Sequence, residues 1–390
     1  MDSSEFDLTV VGGGLVGLSV AGALARSGLR LALVERTHLP GGAETDAWDA
    51  RVYAISPASE LFLRELGAWP AVADRLAPVT QMRIYGDQPG SELAFSAYDA
   101  HVPRLATIVE NSALMAALQG TLRGQPDLTL FSPARCAAVL WEADHATLQL
   151  EGGATLRSKL LVAADGADSW LRGRAGLAAR ETDYGQTAVV ANFGTAQPHR
   201  GVAFQWFKPD GVLALLPLPG NRASMVWSAR KELADDLLTL APDALCAAVE
   251  GACGRALGRL TLIAGPAGFA LRLIRVPRLI GPRLALVGDA AHNLHPLAGQ
   301  GVNLGFQDAR ELTAVLTARG HETDVGSRAL LRRYERARRE DIVAMTAVTH
   351  GLQRLFSNSA APLAWLRNLG LSLTDRVLPL KALLVKHALG

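Results

Sequence analysis

The sequence predicts an α/β fold joined to an α+β second domain, on three observations. A short β-rich run, a glycine-rich turn and a helix-forming stretch fill residues 7 to 26, and another β-rich run follows at once. From about Thr187 the texture changes to short strands separated by Gly, Pro and Asn, and near Leu284 the first texture returns. A chain of 390 residues suits two intimately joined domains better than one simple core.

Bulk properties narrow the classes. Hydrophobic residues make up 49% and charged ones 19%, an apolar balance that makes a lipid-like partner worth considering. A formal net charge of +2 supplies no global field for nucleic acid, so that partner is not expected. Cys136, Cys246 and Cys253 have neither metal-ligand nor redox spacing, and their odd number makes a poor disulfide framework, which fits a reducing cytoplasm. The apolar stretch from Leu8 to Leu33 is not read as a signal or a span. Asp2, Glu5 and Asp7 precede it, glycines interrupt it, and Arg26 and Arg30 lie inside it.

Taken in order, Asp7 to Val11 reads as a strand, Leu15 to Arg26 as a helix capped by Gly28, and Leu31 to Glu35 as the next strand. Pro57 to Leu66 and Asn111 to Leu122 read as helices, with a strand pair at Gln81 to Tyr85 and Glu92 to Ser96 between them. Lys159 to Ala163 is a buried-type strand. Thr187 to Phe193, Val202 to Phe207, Val212 to Leu216 and Ala223 to Ser228 have the pattern of an antiparallel sheet. A helix near Pro242 to Leu257 precedes the strand Leu284 to Val287, and Arg-rich Arg328 to Arg339 is helical. The expected organisation is a discontinuous first domain (1–75, 100–180 and 278–350), a substrate domain (76–99 and 181–277) and C-terminal helices (351–390).

Gly12, Gly14 and Gly17 form GxGxxG between strand and helix. The first glycine permits the tight turn, the second lets backbone approach a pyrophosphate, and the third lets the helix pack on the strand. The helix N-terminus meets phosphate charge with free N–H groups. Glu35, about twenty residues on, is placed for ribose hydroxyls. This makes a Rossmann-like unit able to hold NAD or FAD. Gly288-Asp289, again after a strand, points to FAD, because a carboxylate there can bind a ribityl chain that NAD lacks; a helix N-cap is the alternative role for Asp289. Gly299, Gly301 and Gly305 leave room for a flat ring, and a helix beginning near Gly301 would aim its positive end at it.

The run His295-Pro296-Leu297-Ala298-Gly299-Gln300-Gly301-Val302-Asn303-Leu304-Gly305, followed by Asp308, resembles the signature of the flavin hydroxylases of ubiquinone biosynthesis, within the larger para-hydroxybenzoate hydroxylase-like group. Ala164 to Ser169 with Arg172 resembles the second cofactor motif of that group, and the resemblance implies that Asp165 and Gly166 serve both FAD and the nicotinamide donor. Arg51, Glu110 and Asn111 match positions near the flavin in relatives. Tyr184 to Gln186, Leu213 to Pro217 and Thr349 to Phe356 also resemble the ubiquinone branch, so the likeness runs over essentially the whole chain.

The resemblance implies cofactor contacts from Gly12, Gly14, Gly17, Glu35, Arg51, Asn111, Asp165, Gly166, Gly288, Asp289, Gly301, Val302 and Asn303. It also implies a flavin-ring environment of Arg51, His295, Pro296, Gly299, Gln300 and Gly301. The implied reaction is hydroxylation of a polyprenylated phenol: NAD(P)H reduces FAD, O2 adds to the flavin, and the resulting hydroperoxide attacks the ring. A hydroxylase of a small phenolic acid and a flavoprotein subunit without turnover are the alternatives, and no general base follows from spacing.

Three weaker features complete the reading. His292 and His295 lack partners for a metal set, so no metal is expected. The Arg-rich run Arg328, Arg332, Arg333, Arg336, Arg338 and Arg339 reads as a solvated helix face. The leucines from Leu363 to Leu389, interleaved with Arg367, Arg376, Lys381 and Lys386, suit either an anionic membrane surface or the protein's own core. A quinone-biosynthesis complex is a further implied partner.

Overall fold

The computed structural model describes residues 3–39, 47–86, 91–294, 301–320 and 322–356. The chain starts with β1 (Ser3–Val11), α1 (Leu15–Leu24), β2 (Leu31–Val34), β3 (Val52–Ile55), α2 (Pro57–Glu65), β4 (Ala77–Val79), β5 (Gln81–Tyr85) and β6 (Glu92–Ser96). It continues through β7 (Ala106–Glu110), α3 (Asn111–Thr121), β8 (Leu128–Phe131), β9 (Cys136–Trp141), β10 (Ala146–Leu150), β11 (Thr155–Ala163) and α4 (Trp170–Arg174). Next come β12 (Arg180–Thr195), β13 (Val202–Lys208), β14 (Gly211–Leu218), β15 (Arg222–Arg230), α5 (Lys231–Thr239), α6 (Pro242–Ala252) and β16 (Leu260–Arg275). The final elements are β17 (Ile280–Gly281), β18 (Leu284–Leu286), β19 (His292–Asn293), α7 (Gly301–Thr317) and α8 (Arg328–Phe356).

The first sheet runs β17-β18-β11-β1-β2-β8, with β10 and β9 extending from β11. β18, β11, β1, β2 and β8 are mutually parallel, so their carboxyl ends lie along one edge. Leu31 to Val34 are all buried, as expected of a parallel strand covered on both faces. α1, α3 and α7 pack together beside this sheet. Ser56 starts α2 by accepting from Ser59 N, with Pro57 at the first helical position.

The second sheet has eight strands in the order β19-β16-β12-β15-β14-β13-β5-β6. One of its faces packs Val189, Ala191, Phe193, Leu213, Leu215 and Met225 with α5 and α6 residues such as Leu237, Leu245 and Val249. Pairing then puts Val190, Val226 and Ala214 together on the opposite face, with Ala188 beside Ser228 and Phe269, and Asn192 beside Ser224. Segment 76–99 divides between sheets, because β4 joins β3 and β7 in a three-stranded sheet while β5 and β6 join the large one. The expected C-terminal helices lie outside the described residues from 357 onward; up to Phe356 the chain continues α8.

Candidate functional site

Three glycine-rich segments meet at the carboxyl ends of β1, β11 and β18, the edge where ligands bind in parallel α/β sheets. Gly12 adopts φ +110°, and a Cβ there would overlap the Ala164 carbonyl. A Cβ at Gly17 would overlap the Gly12 carbonyl oxygen, so helix α1 can sit this close to β1 only without one. Gly14 has nothing within 4 Å of its missing Cβ, leaving its face open. The N-cap of α1, Gly14, offers no side-chain cap and the first turn carries no acid, so its first N–H groups are left for another acceptor. Glu35 Oε2 accepts from Gly13 N at 2.6 Å, and Oε1 accepts from Thr37 N at 2.9 Å. Burial pushes this carboxyl up, but the Gly13 and Thr37 hydrogen bonds outweigh it and hold it below the ordinary value.

After β11, Asp165 Oδ2 accepts from Leu171 N at 3.1 Å while Oδ1 is buried with no partner. Burial raises the Asp165 carboxyl above its ordinary range. Gly166 turns at φ +84° with open space on its Cβ side. Arg172 ties this loop to the next one, donating to Ala167 O at 2.8 Å and Ala290 O at 2.9 Å.

After β18, Gly288 (φ +59°) lies against Val16 of α1, and a Cβ at Gly305 would crowd the same Val16 at 2.6 Å. Asp289 follows Gly288 directly. It keeps accessible surface, yet desolvation by the surrounding protein raises its carboxyl, against the opposing pull of His292 and Arg51. Gly301 is open on its Cβ side and Val302 is half-buried. Asn303 is buried and clamps β3, donating to Ala54 O at 2.8 Å and accepting from Ser56 N at 2.9 Å.

Behind this loop lies a fully buried charged group that spacing did not reveal. Asp308 Oδ2 accepts from Gly288 N at 2.9 Å and pairs with His292 Nε2 at 2.6 Å, while Oδ1 accepts from Arg338 Nε at 2.8 Å. Arg338 therefore departs from the expected solvated face. It is 3% exposed and donates to Asp308, whereas Arg332, Arg333, Arg336 and Arg339 are exposed as expected. Its signal was faint: Tyr334, four residues earlier, is buried and donates to Leu286 O at 2.7 Å. His292 Nδ1 is buried without a partner.

Arg51 and Asn111 are joined to each other through Asp49, which the sequence did not single out. Asp49 Oδ1 accepts from Arg51 N at 2.9 Å and Oδ2 from Asn111 Nδ2 at 3.2 Å. The Arg51 guanidinium stacks over Phe269 of the large sheet, 4.5 Å from the ring centre. The sheet face that meets Arg51 is mainly apolar, with Val212, Ala214, Val226 and Phe269 half-buried. His295, Pro296, Gly299 and Gln300 lie outside the described residues.

Residues 5–349 match the FAD binding domain family, and the chain belongs to that family. It is 38% identical over 385 residues to a ubiquinone hydroxylase of Rhodospirillum rubrum, covering 98% of this chain and 89% of that one. It is 35% identical over 392 residues to the 3-demethoxyubiquinol 3-hydroxylase of Escherichia coli, covering all of both. In fold it is similar to the p-nitrophenol 4-monooxygenase of Pseudomonas putida, with a TM-score of 0.80 at 18% identity over 100% of this chain and 99% of that one.

The buried charged group yields a prediction with a definite sign. Burial would raise the Asp308 carboxyl, but His292 and Arg338 hold it below 3.8. Its contribution to stability is therefore present above the unfolded carboxyl value and is lost as pH falls through the lower folded one. Asp308→Asn leaves Arg338 buried with the more exposed Asp341 as its remaining carboxylate partner, at 2.6 Å, and should cost about 3 kcal/mol at pH 7, the low end for breaking a buried pair. Urea unfolding of parent and variant should show that gap at pH 7 and a narrower gap at pH 3; a constant gap would reject the linkage.

Proposed function

We propose that this chain is an FAD-dependent monooxygenase that uses NAD(P)H and O2 to hydroxylate the aromatic ring of a polyprenylated phenol in ubiquinone biosynthesis. Likeness over the whole chain to two relatives, one named a ubiquinone hydroxylase and the other a 3-demethoxyubiquinol 3-hydroxylase, carries the reading. Bound FAD supplies the exchange of electrons with NAD(P)H and the activation of O2. Binding, orientation and exclusion of water fall to the protein.

The residues present fit that cofactor. The open faces of Gly14, Gly166 and Gly301 leave room for backbone to meet a ligand closely. The uncapped N-terminus of α1 would face the pyrophosphate, and Glu35, whose carboxylate is held ionised, would accept from the adenosine ribose. Asp289 would take the ribityl hydroxyls, while the unpartnered Asp165 Oδ1 and His292 Nδ1 offer polar atoms that lack internal partners. Gly301, Val302 and Asn303 would contribute backbone at the ring end of α7, and the sequence resemblance assigns His295, Pro296, Gly299 and Gln300 to the surroundings of the ring. Arg51, near Asp289, would place a fixed positive charge beside the flavin.

The substrate side supports an apolar ring carrier over a small acid. Val190, Val226, Ala214 and Phe269 give the inner sheet face little that would anchor a carboxylate. Arg222 on that face is engaged by Trp48, 4.9 Å from its ring centre, and by Pro219 O at 2.9 Å. No helix among the described residues is long and apolar enough to cross a membrane. We propose that the basic, leucine-rich tail gives peripheral contact with an anionic membrane, where a prenylated substrate resides, and that the enzyme works beside others of quinone biosynthesis.

A strain lacking the gene should accumulate an under-hydroxylated prenylphenol in its lipid extract, whereas an unchanged quinone profile would oppose the reading. Asp289→Ala should purify with markedly less flavin, seen as lost absorbance near the flavin bands; full yellow colour would remove Asp289 from the ribityl role. Chains shortened at about Ala360 should lose binding to anionic liposomes, and equal binding by both lengths would reject the membrane contact.

A further inference from the structure

The stretch from Trp48 to Arg51 lies along the inner face of the large sheet and is tied down on both sides. Trp48 sits between two guanidinium groups, Arg75 at 4.7 Å and Arg222 at 4.9 Å from its ring centre. The Asp49 N–H donates to Glu110 Oε1 at 2.7 Å, and the Asp49 carboxylate accepts from Arg51 N and from Ser112 N at the start of α3. Across the sheet boundary, Asn192 Nδ2 donates to the Asp49 carbonyl at 2.7 Å. Two residues further on, Arg51 covers Phe269, which pairs with Ala188 on the same β12 that carries Asn192.

Packing alone gives no reason for an asparagine at position 192. The residue is fully buried, and its Oδ1 has no partner, an arrangement that works against stability. Its donor side is the part in use, and that donor reaches the backbone of the one segment that presents Arg51. Glu110, also buried, holds the opposite side of the same segment through the Asp49 N–H and is itself paired with Arg75 at 3.1 Å.

We propose that Asn192 is a positioning residue, which fixes the Asp49 carbonyl and thereby sets the Arg51 guanidinium over Phe269 at the flavin. The inference rests on the reading of Arg51 as part of the flavin site. It joins the antiparallel sheet to cofactor binding: an amide on the substrate wall, 143 residues from Asp49 in sequence, determines where a cofactor-facing cation stands.

Full-length protein stripped of flavin and titrated with FAD supplies the test, with the melting temperature of the flavin-free chain as a second readout. Asn192→Ala removes both the donor and the unmatched acceptor, so melting should stay within about 3 °C of the parent. FAD binding should weaken about fivefold to tenfold, the effect of one hydrogen bond. In an Arg51→Ala background the same change should weaken FAD less than about twofold, because the group it positions is gone. Equal weakening in both backgrounds overturns the proposal. So does unchanged binding in Asn192→Ala when Arg51→Ala alone weakens FAD, and in both cases the reading of Arg51 stands. Unchanged FAD binding in Arg51→Ala sinks that reading and the positioning role together. If the alanine variant melts much lower, Asn192→Ser repeats the measurement; loss of fold in both would make Asn192 a structural residue and end the proposal.

Discussion

The architecture depends on how closely backbone approaches backbone around Val16. Gly17 lets α1 meet the Gly12 carbonyl, and Gly288 and Gly305 both press on the Val16 side chain, so the turn after β1, the turn after β18 and the start of α7 share one contact. A Cβ at Gly12, Gly17 or Gly305 would have to displace backbone or Val16. The polar groups of the site inherit their positions from this contact. Asp289 follows Gly288 directly, Asn303 lies two residues before Gly305 on α7, and the open Gly14 face begins α1.

A second constraint is electrostatic. Asp308 is wholly buried, a state tolerable for a carboxylate only when its oxygens are matched. Gly288 N, His292 and Arg338 do this from three different elements, which couples the β18 turn and the β19 strand to α7 and α8. Desolvation pushes this carboxyl one way, and His292 and Arg338 push it harder the other way. At Asp289 and Asp165 the balance is reversed and burial prevails, so the carboxyls proposed to face the cofactor are raised while that of Asp308 is lowered.

Sequence patterns revealed what is local. The first βαβ unit and the strand pair Gln81 to Tyr85 and Glu92 to Ser96 were legible because period and turn residues act over a few positions. β16 (Leu260–Arg275) was not, since Gly265-Pro266 and Gly268 interrupt it and its continuity comes from pairing with β12. Arg338 read as solvent-facing because its neighbours are, and only the fold brings Asp308, thirty residues away, against it. Asp49 and Asn192 carry no motif at all. Their bond joins positions that periodicity cannot relate.

These constraints surround the site proposed for the flavin, beside an apolar sheet, and the central claim is that an atom of O2 is delivered there to an aromatic ring. Purified FAD-loaded protein given NAD(P)H, isotopically labelled O2 and a prenylated phenol tests that claim most directly. Mass spectrometry should find one labelled oxygen in the new ring hydroxyl. Product whose new oxygen is unlabelled, or NAD(P)H oxidation that yields hydrogen peroxide and leaves the phenol intact, would contradict it.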